Sequence, residues 1–372
     1  MERWDVVVVG GGPAGAACAA AARRADPDAR VLVLDRAGFP RDKVCGDGIA
    51  AEAFDVLAGL GLDTDALTDG FPLVPRLRLH SPGGGTSERP LPRPARVVPR
   101  AVLDARLLEA ALATGAELRH HHVRRVEQGP DGVVVDGVLE AGVLVGADGA
   151  ESVVRRAVGS RPNPPSTLAV AIRGYAPEPP GQDGVLVMAT TRQRWPAYAW
   201  SFPLGDGRAN VGYGELVSGS ATRQTLVEGL TRLLPGVEPT ALRAHRLPLS
   251  TARPRSASGR VLLAGDAASL VNPLTGEGIY YAVLSGALAG RTAVTDPAGA
   301  GEAYRRALTA RLGRHLRGAA AASRLSRWPR LMDATVRAAE ADQRVFDDIC
   351  DLGLADGRLT VRTLAATARR LR

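Results

Sequence analysis

Four consecutive valines, Val6-Val7-Val8-Val9, run into Gly10-Gly11-Gly12-Pro13-Ala14-Gly15 and then into an alanine-rich stretch. This order predicts a buried strand, a tight glycine turn and a helix, and a further apolar strand at 31–34 closes a βαβ unit over residues 4–36. The glycines keep a G-x-G-x-x-G spacing. Gly10 allows the turn, Gly12 lets the backbone approach a pyrophosphate, and Gly15 lets the helix lie against the strand. The first N–H groups of the helix have no partner inside it and face the phosphates. In a chain with 43 glycines this spacing is weak by itself. Asp35, however, ends the second strand 20 residues beyond Gly15, where a ribose hydroxyl needs an acceptor. An ordinary glycine turn leaves that acid unexplained. The unit is therefore read as a dinucleotide site of a Rossmann-type α/β domain, with Pro13, Ala14 and Arg36 counted beside Gly10, Gly12, Gly15 and Asp35.

The 372 residues are enough for two domains. Three cysteines, Cys18, Cys45 and Cys350, cannot form a disulfide framework or a zinc site, and a reducing, cytoplasmic compartment is expected. No apolar run approaches the roughly 20 residues of a membrane-spanning helix, and the N-terminus enters a strand with no targeting pattern. The formal charge of +8 is concentrated at the C-terminal end: 301–372 holds 15 arginines against 8 acidic residues. Two readings stand, a solvated helical face or a patch for anionic lipid head groups or a pyrophosphate substrate. The second implies peripheral membrane association. Nucleic acid is not expected, since aromatic residues make up only 4% and no binding module is present. His120, His121 and His122 fall on a predicted strand, where neighbours point to opposite faces, so no metal site is assigned.

Along the chain, strands are expected at 76–80, 116–126, 132–136 and 142–149, with a helix at 100–114 and a Pro/Gly-rich loop or irregular hairpin at 81–99. From about 160 the pattern becomes strand-rich, at 168–175, 184–191 and 197–214, with a hairpin signal at Gly205-Asp206-Gly207. A helix is expected near 221–234, a buried strand at 260–264, and helices over the remainder, 276–372. The expected organisation is a Rossmann-type domain discontinuous in sequence (1–159 and 259–300), an inserted β-rich substrate domain (160–258) and a helical C-terminal segment (301–372).

Further segments carry a resemblance. Arg100-x-x-x-Asp104 opens a helix. Gly146-Ala147-Asp148-Gly149-Ala150-x-Ser152-x-x-Arg155 is similar to the Asp-Gly motif of flavoprotein hydroxylases. Leu263-Ala264-Gly265-Asp266-Ala267-Ala268 is similar to the second FAD fingerprint of that fold, and continues into the turn Asn272-Pro273-Leu274-Thr275-Gly276-Glu277-Gly278. With the N-terminal fingerprint these segments resemble, over about residues 4–300, the p-hydroxybenzoate-hydroxylase-like flavoprotein superfamily. The resemblance implies FAD, with Arg100, Asp148, Gly265 and Asp266 in its site and Pro273, Gly276 and Gly278 bringing backbone N–H groups to the flavin. Within the superfamily, Phe39-Pro40-Arg41-Asp42-Lys43-Val44-Cys45-Gly46-Asp47-Gly48-Ile49 and Pro196-Ala197-Tyr198-Ala199-Trp200-Ser201-Phe202-Pro203 resemble the geranylgeranyl reductase family, which reduces C=C bonds of polyprenyl chains. That resemblance places Lys43, Cys45, Gly46 and Asp47 beside the cofactor. Lys43 is also the single lysine among 47 basic residues, which points to a need for a compact ammonium there.

Tyr198, Trp200 and Phe202 alternate on a strand and share one face, either as an aromatic core stripe or as the wall of a substrate pocket. Cys45, Tyr198 and Trp200 are the catalytic candidates: Cys45 or a water beside it as proton donor, and the two rings as a π surface for developing positive charge. No second G-x-G-x-x-G with a following acid is present, so NAD(P)H or another electron carrier is expected to dock transiently. The expected partner is an isoprenoid or other apolar small molecule. A flavin-dependent hydroxylase and a flavin-dependent halogenase are the alternatives; the halogenase Trp-x-Trp-x-Ile-Pro pattern differs from residues 198–203 at two places.

Overall fold

Two eight-stranded sheets organise the chain in the computed structural model, which describes residues 1–217, 221–251, 253 and 255–371. The βαβ unit lies at the centre of the first sheet. Glu2–Val9 runs parallel to Val31–Asp35 on one side and to Leu139–Gly146 on the other. Glu117–His120 and Val261–Leu263 extend the parallel set outward. Parallel strands covered on both faces need apolar residues at every position, and Val6, Val7 and Val8 are fully buried. The stretch expected to be one strand at 116–126 splits into Glu117–His120 and Val126–Gln128, the latter pairing in a small antiparallel extension.

The helix Pro13–Ala25 packs against Ile279–Thr295, which comes from the far end of the domain. The two meet backbone to backbone. A Cβ built on Gly286 would sit 2.0 Å from the Ala14 carbonyl oxygen, and one on Gly290 would sit 2.0 Å from that of Cys18. Small residues over 13–22 make this approach possible, and Cys18 is fully buried in it.

The second sheet runs in the order Thr240–Pro248, Leu168–Pro177, Arg208–Leu216, Ala197–Pro203, Val185–Thr190, Leu73–His80, Thr86–Val97, Gly48–Ile49. All neighbours are antiparallel except Val185–Thr190 and Leu73–His80. Residues 81–99, expected to be a loop or irregular hairpin, instead hold the strand Thr86–Val97. Its prolines 90, 92 and 94 are tolerated because one edge meets only Gly48–Ile49, at the far end, so few ladder N–H groups are needed there. The expected boundary at 160 therefore does not separate the sheets, since three strands from before it join the second one. The helix Ala51–Gly59 and the strand Thr240–Pro248 also lie outside the sequence expectations. The C-terminal segment is helical, as expected: Ala300–Leu325, Pro329–Ala341, Gln343–Leu354 and Val361–Arg370.

Candidate active site

The N-terminal turn is built as its glycines require. Gly10 has φ +105°, and a Cβ there would lie 2.4 Å from the Ala147 carbonyl oxygen. A Cβ on Gly15 would lie 1.8 Å from the carbonyl oxygen of Gly10, so Gly15 serves packing and stays out of the cleft. Gly12 caps the helix Pro13–Ala25 without any side-chain acceptor, and no acid stands in the first turn. Its N–H groups thus remain free for an anion. Asp35 ends its strand with one carboxylate oxygen accepting from Gly11 N–H at 2.7 Å and the other from Ala37 N–H at 2.9 Å. The acid fixes the turn and keeps lone pairs towards the cleft, which Arg36 borders from the exposed side.

The later motifs converge on this cradle. Asp148 accepts from the Ser152 hydroxyl at 2.5 Å and from Val153 N–H at 2.7 Å, and so caps the turn into the short helix Val154–Ala157. From that helix the buried Arg155 donates to the carbonyls of Ala267 and Asp266, both at 2.9 Å. The Asp-Gly and Gly-Asp motifs are thereby tied together through one guanidinium. Gly265 (φ +58°) turns the chain so that the Asp266 carboxylate enters the cleft, where Lys43 Nζ donates to it at 3.0 Å. Burial opposes the Asp266 charge, but the Lys43 ammonium outweighs it and holds the carboxyl below its ordinary value. The single lysine of the chain thus meets the acid of the second fingerprint. Arg100 lines the cleft from a buried position and grips Asp104 through two bonds, of 2.6 and 2.8 Å. Burial disfavours the Arg100 charge, yet Asp104 more than offsets this and keeps the guanidinium above its usual value.

Cys45, Gly46, Pro273, Gly276 and Gly278 all border the cleft. Asp47 does not. Its backbone sits at φ +61°, and the side chain is fully buried, accepting from the Tyr175 hydroxyl at 2.6 Å and Asn210 Nδ2 at 2.7 Å. The expected cofactor contact of Asp47 is therefore corrected: it anchors the Cys45 loop to the second sheet. Burial raises its carboxyl to about 6 against these hydrogen bonds.

Tyr198, Trp200 and Phe202 line the same cleft from the second sheet, on the shared face that their spacing predicts. Opposite Trp200 and Tyr198 on the neighbouring strand stand Gly212 and Gly214. A Cβ on Gly212 would lie 2.1 Å from the indole, so the glycine is what seats the ring. Trp200 Nε1 donates to Asn210 at 2.8 Å, and the Tyr198 hydroxyl donates to the Thr275 carbonyl in the flavin-side turn. Cys45 is half-buried, and desolvation raises its thiol above the ordinary value despite the nearby Arg100, so it keeps its proton. Glu277, absent from the sequence-derived site, joins it in the cleft. One of its oxygens accepts from Tyr280 N–H at 2.8 Å, and burial raises the carboxyl to about 7. Its position inside the Asn272–Gly278 run was the one sequence signal for it; the shift depends on burial that no motif shows.

The uncapped helix N-terminus, the glycine turn that a Cβ would fill, Asp35, and the Asp266 and 273–278 wall together fit FAD. Gly10, Gly12, Pro13, Ala14 and Asp35 would hold its adenosine pyrophosphate side; Lys43, Asp266, Pro273, Gly276 and Gly278 would hold its flavin side.

Comparison with known proteins agrees. The "FAD binding domain" family model matches residues 3–287. The chain is 35% identical over 321 residues to menaquinone reductase of Mycolicibacterium smegmatis, covering 77% of this chain and 75% of that protein. It is 35% identical over 314 residues to digeranylgeranylglycerophospholipid reductase 1 of Methanopyrus kandleri, covering 78% and 80%. Among solved structures, the geranylgeranyl bacteriochlorophyll reductase-like protein of Thermoplasma acidophilum superposes with a TM-score of 0.82 at 20% identity, over 100% of this chain and 97% of that one. With the cradle, the aromatic wall and these relatives in agreement, the chain belongs to the geranylgeranyl reductase family of FAD-dependent oxidoreductases.

Proposed function

We propose that the protein reduces C=C bonds in the polyprenyl chain of an isoprenoid lipid or quinone. One observation carries this reading: a single cleft of about 930 Å³ runs from the cofactor cradle, past Tyr198, Trp200 and Phe202, to apolar side chains of the C-terminal helices. A long apolar chain fits such a slot, and its inner end meets two groups that hold protons. The relatives' names, one for menaquinone and one for a digeranylgeranyl lipid, share a polyprenyl chain as their common chemical part.

Bound FAD, once reduced by NAD(P)H or another transient electron donor, would supply the hydride. An unactivated alkene is a poor hydride acceptor, so a proton must reach it first or together with the hydride. Cys45 holds its proton because it is desolvated, and Glu277 is poised between its two forms near neutral pH. The faces of Tyr198 and Trp200, with centroids 5.9 Å apart, support a role for the two rings in stabilising positive charge on the alkene carbon.

The test is anaerobic turnover of chemically reduced enzyme with polyprenyl compounds, read by mass spectrometry. The product gains two mass units per bond reduced in ordinary water and up to four in deuterated water, because both the added proton and the flavin N5 hydrogen exchange with solvent. A product that gains an oxygen or a halogen, and only when oxygen is present, overturns the reductase reading in favour of a hydroxylase or halogenase.

A further inference from the structure

The apolar end of the cleft opens through the C-terminal helices onto an unusual surface. Leu325, Leu364 and Leu371 line the cleft and are also exposed, which places them at its mouth. Beside them Trp328 is 71% exposed and Val361 82%. These five are the majority of the nine large apolar side chains exposed among the described residues. The helix Val361–Arg370 is arranged inside out: it buries Thr363, Ala366 and Thr367 and turns Val361 and Leu364 outward. A helix facing only water has no reason for that orientation.

Charge surrounds the patch. Arg324, Arg327, Arg330, Arg358, Arg369 and Arg370 are exposed, and none forms an ion pair among the described residues, whereas Arg362 is neutralised by Asp348. A second copy of the chain is a poor occupant, because a two-fold interface would set this cationic rim against itself. Anionic head groups complement the rim, and acyl chains complement Trp328 and Val361.

We propose that this face docks on an anionic bilayer, so that the mouth of the cleft opens directly into lipid. The reductase reading explains why a cleft should open there, but docking itself is tested without substrate.

FAD-loaded full-length protein is mixed with vesicles of phosphatidylcholine alone or of phosphatidylcholine with phosphatidylglycerol. Sedimentation with the anionic vesicles is expected, and its loss as salt rises. Lipids brominated in the acyl chains should quench Trp328 most strongly, since Trp4 and Trp200 are buried and Trp195 is half-buried with its Nε1 held by the Ser326 carbonyl. Trp328→Phe should keep binding and lose most of the quenching. Arg327→Ser with Arg330→Ser should weaken binding by about fivefold for each arginine, or roughly 25-fold together. Trp328→Ser with Val361→Ser should weaken it without FAD loss, since neither residue lines the cleft. Equal sedimentation with neutral and anionic vesicles, binding without quenching, or a solution dimer that shields Trp328 from a soluble quencher overturns the proposal. Turnover of a detergent-dispersed substrate separates the two readings. Turnover without vesicle binding removes the docking face and keeps the reductase; vesicle binding without turnover under any dispersal does the reverse.

Discussion

Gly286→Ala sets two effects of known sign against each other. In a helix interior, alanine is favoured over glycine by about 1 kcal/mol, so propensity alone makes this variant more stable. The packing says otherwise. The new Cβ would lie 2.0 Å from the Ala14 carbonyl oxygen, whereas ordinary contact begins near 3.4 Å. The obstacle is backbone, which has no rotamer to yield, so Ile279–Thr295 must move off Pro13–Ala25 by about 1.4 Å at that point. Overpacking of this kind costs about 3 kcal/mol, the upper end of its usual range, leaving a net loss of about 2 kcal/mol. With an unfolding entropy of roughly 2.1 cal/mol/K per residue over 372 residues, that corresponds to a Tm lower by about 2–3 °C. Both helices start at the cofactor cradle, so FAD retention should fall as well. Differential scanning calorimetry and the ratio of flavin to protein absorbance measure the two effects. Gly318→Ala is the control: its Cβ would meet nothing closer than 3.5 Å, so it should be neutral or raise Tm by about 1 °C. A Gly286→Ala protein with full FAD and a Tm at or above the parent's would refute the backbone-contact argument.

Three further outcomes are expected. If Cys45 delivers the proton, Cys45→Ala should slow reoxidation of the reduced enzyme by substrate by roughly 100-fold, the scale of a lost general acid, while FAD reduction changes little; stopped-flow absorbance reads both half-reactions, and an unchanged rate excludes Cys45 as the donor. If Glu277 delivers the proton, the substrate half-reaction should fall as pH rises through about 7, and Glu277→Gln should flatten that profile; a fall only at alkaline pH, above the ordinary thiol range, assigns the proton to Cys45 instead. Asp47 has its carboxyl raised from 3.8 to about 6, so the stability it contributes is complete below pH 4 and is lost as pH rises through 6, by up to about 3 kcal/mol. Relative to Asp47→Asn, the parent should therefore lose stability across that window in urea titrations; a constant gap between the two from pH 4 to pH 7 contradicts the burial argument.

The parts legible in the sequence were those whose physics is local. The glycine turn, the valine strand and Asp35 specify one another within a single βαβ unit. The alternation of Tyr198, Trp200 and Phe202 fixes a shared face wherever the strand is placed. What escaped depends on neighbours distant in sequence. Thr86–Val97 reads as a loop because prolines remove N–H donors, and only its place near the sheet edge makes that harmless. Asp47 reads as a cleft residue until its left-handed backbone and the partners Tyr175 and Asn210 are seen. Glu277 looks like an ordinary turn acid until burial raises its carboxyl. The outward leucine and valine of Val361–Arg370 are unremarkable in an alanine- and arginine-rich tail, and acquire meaning only from the cavity that ends beneath them.

The tie made by Arg155 also bears on how the protein is made. Its guanidinium reaches carbonyls more than a hundred residues further along the chain, and Leu139–Gly146 waits for Val261–Leu263 as its outer partner. As the chain leaves the ribosome, the phosphate cradle can form early, but one edge of the sheet stays open and Arg155 has Asn163 without the Ala267 and Asp266 carbonyls. A nascent chain halted before Val261 would possess the adenosine half of the cofactor site and lack Asp266 and the 273–278 turn. Stable FAD capture is therefore a late event in biogenesis, and it reports that both ends of the discontinuous domain have met.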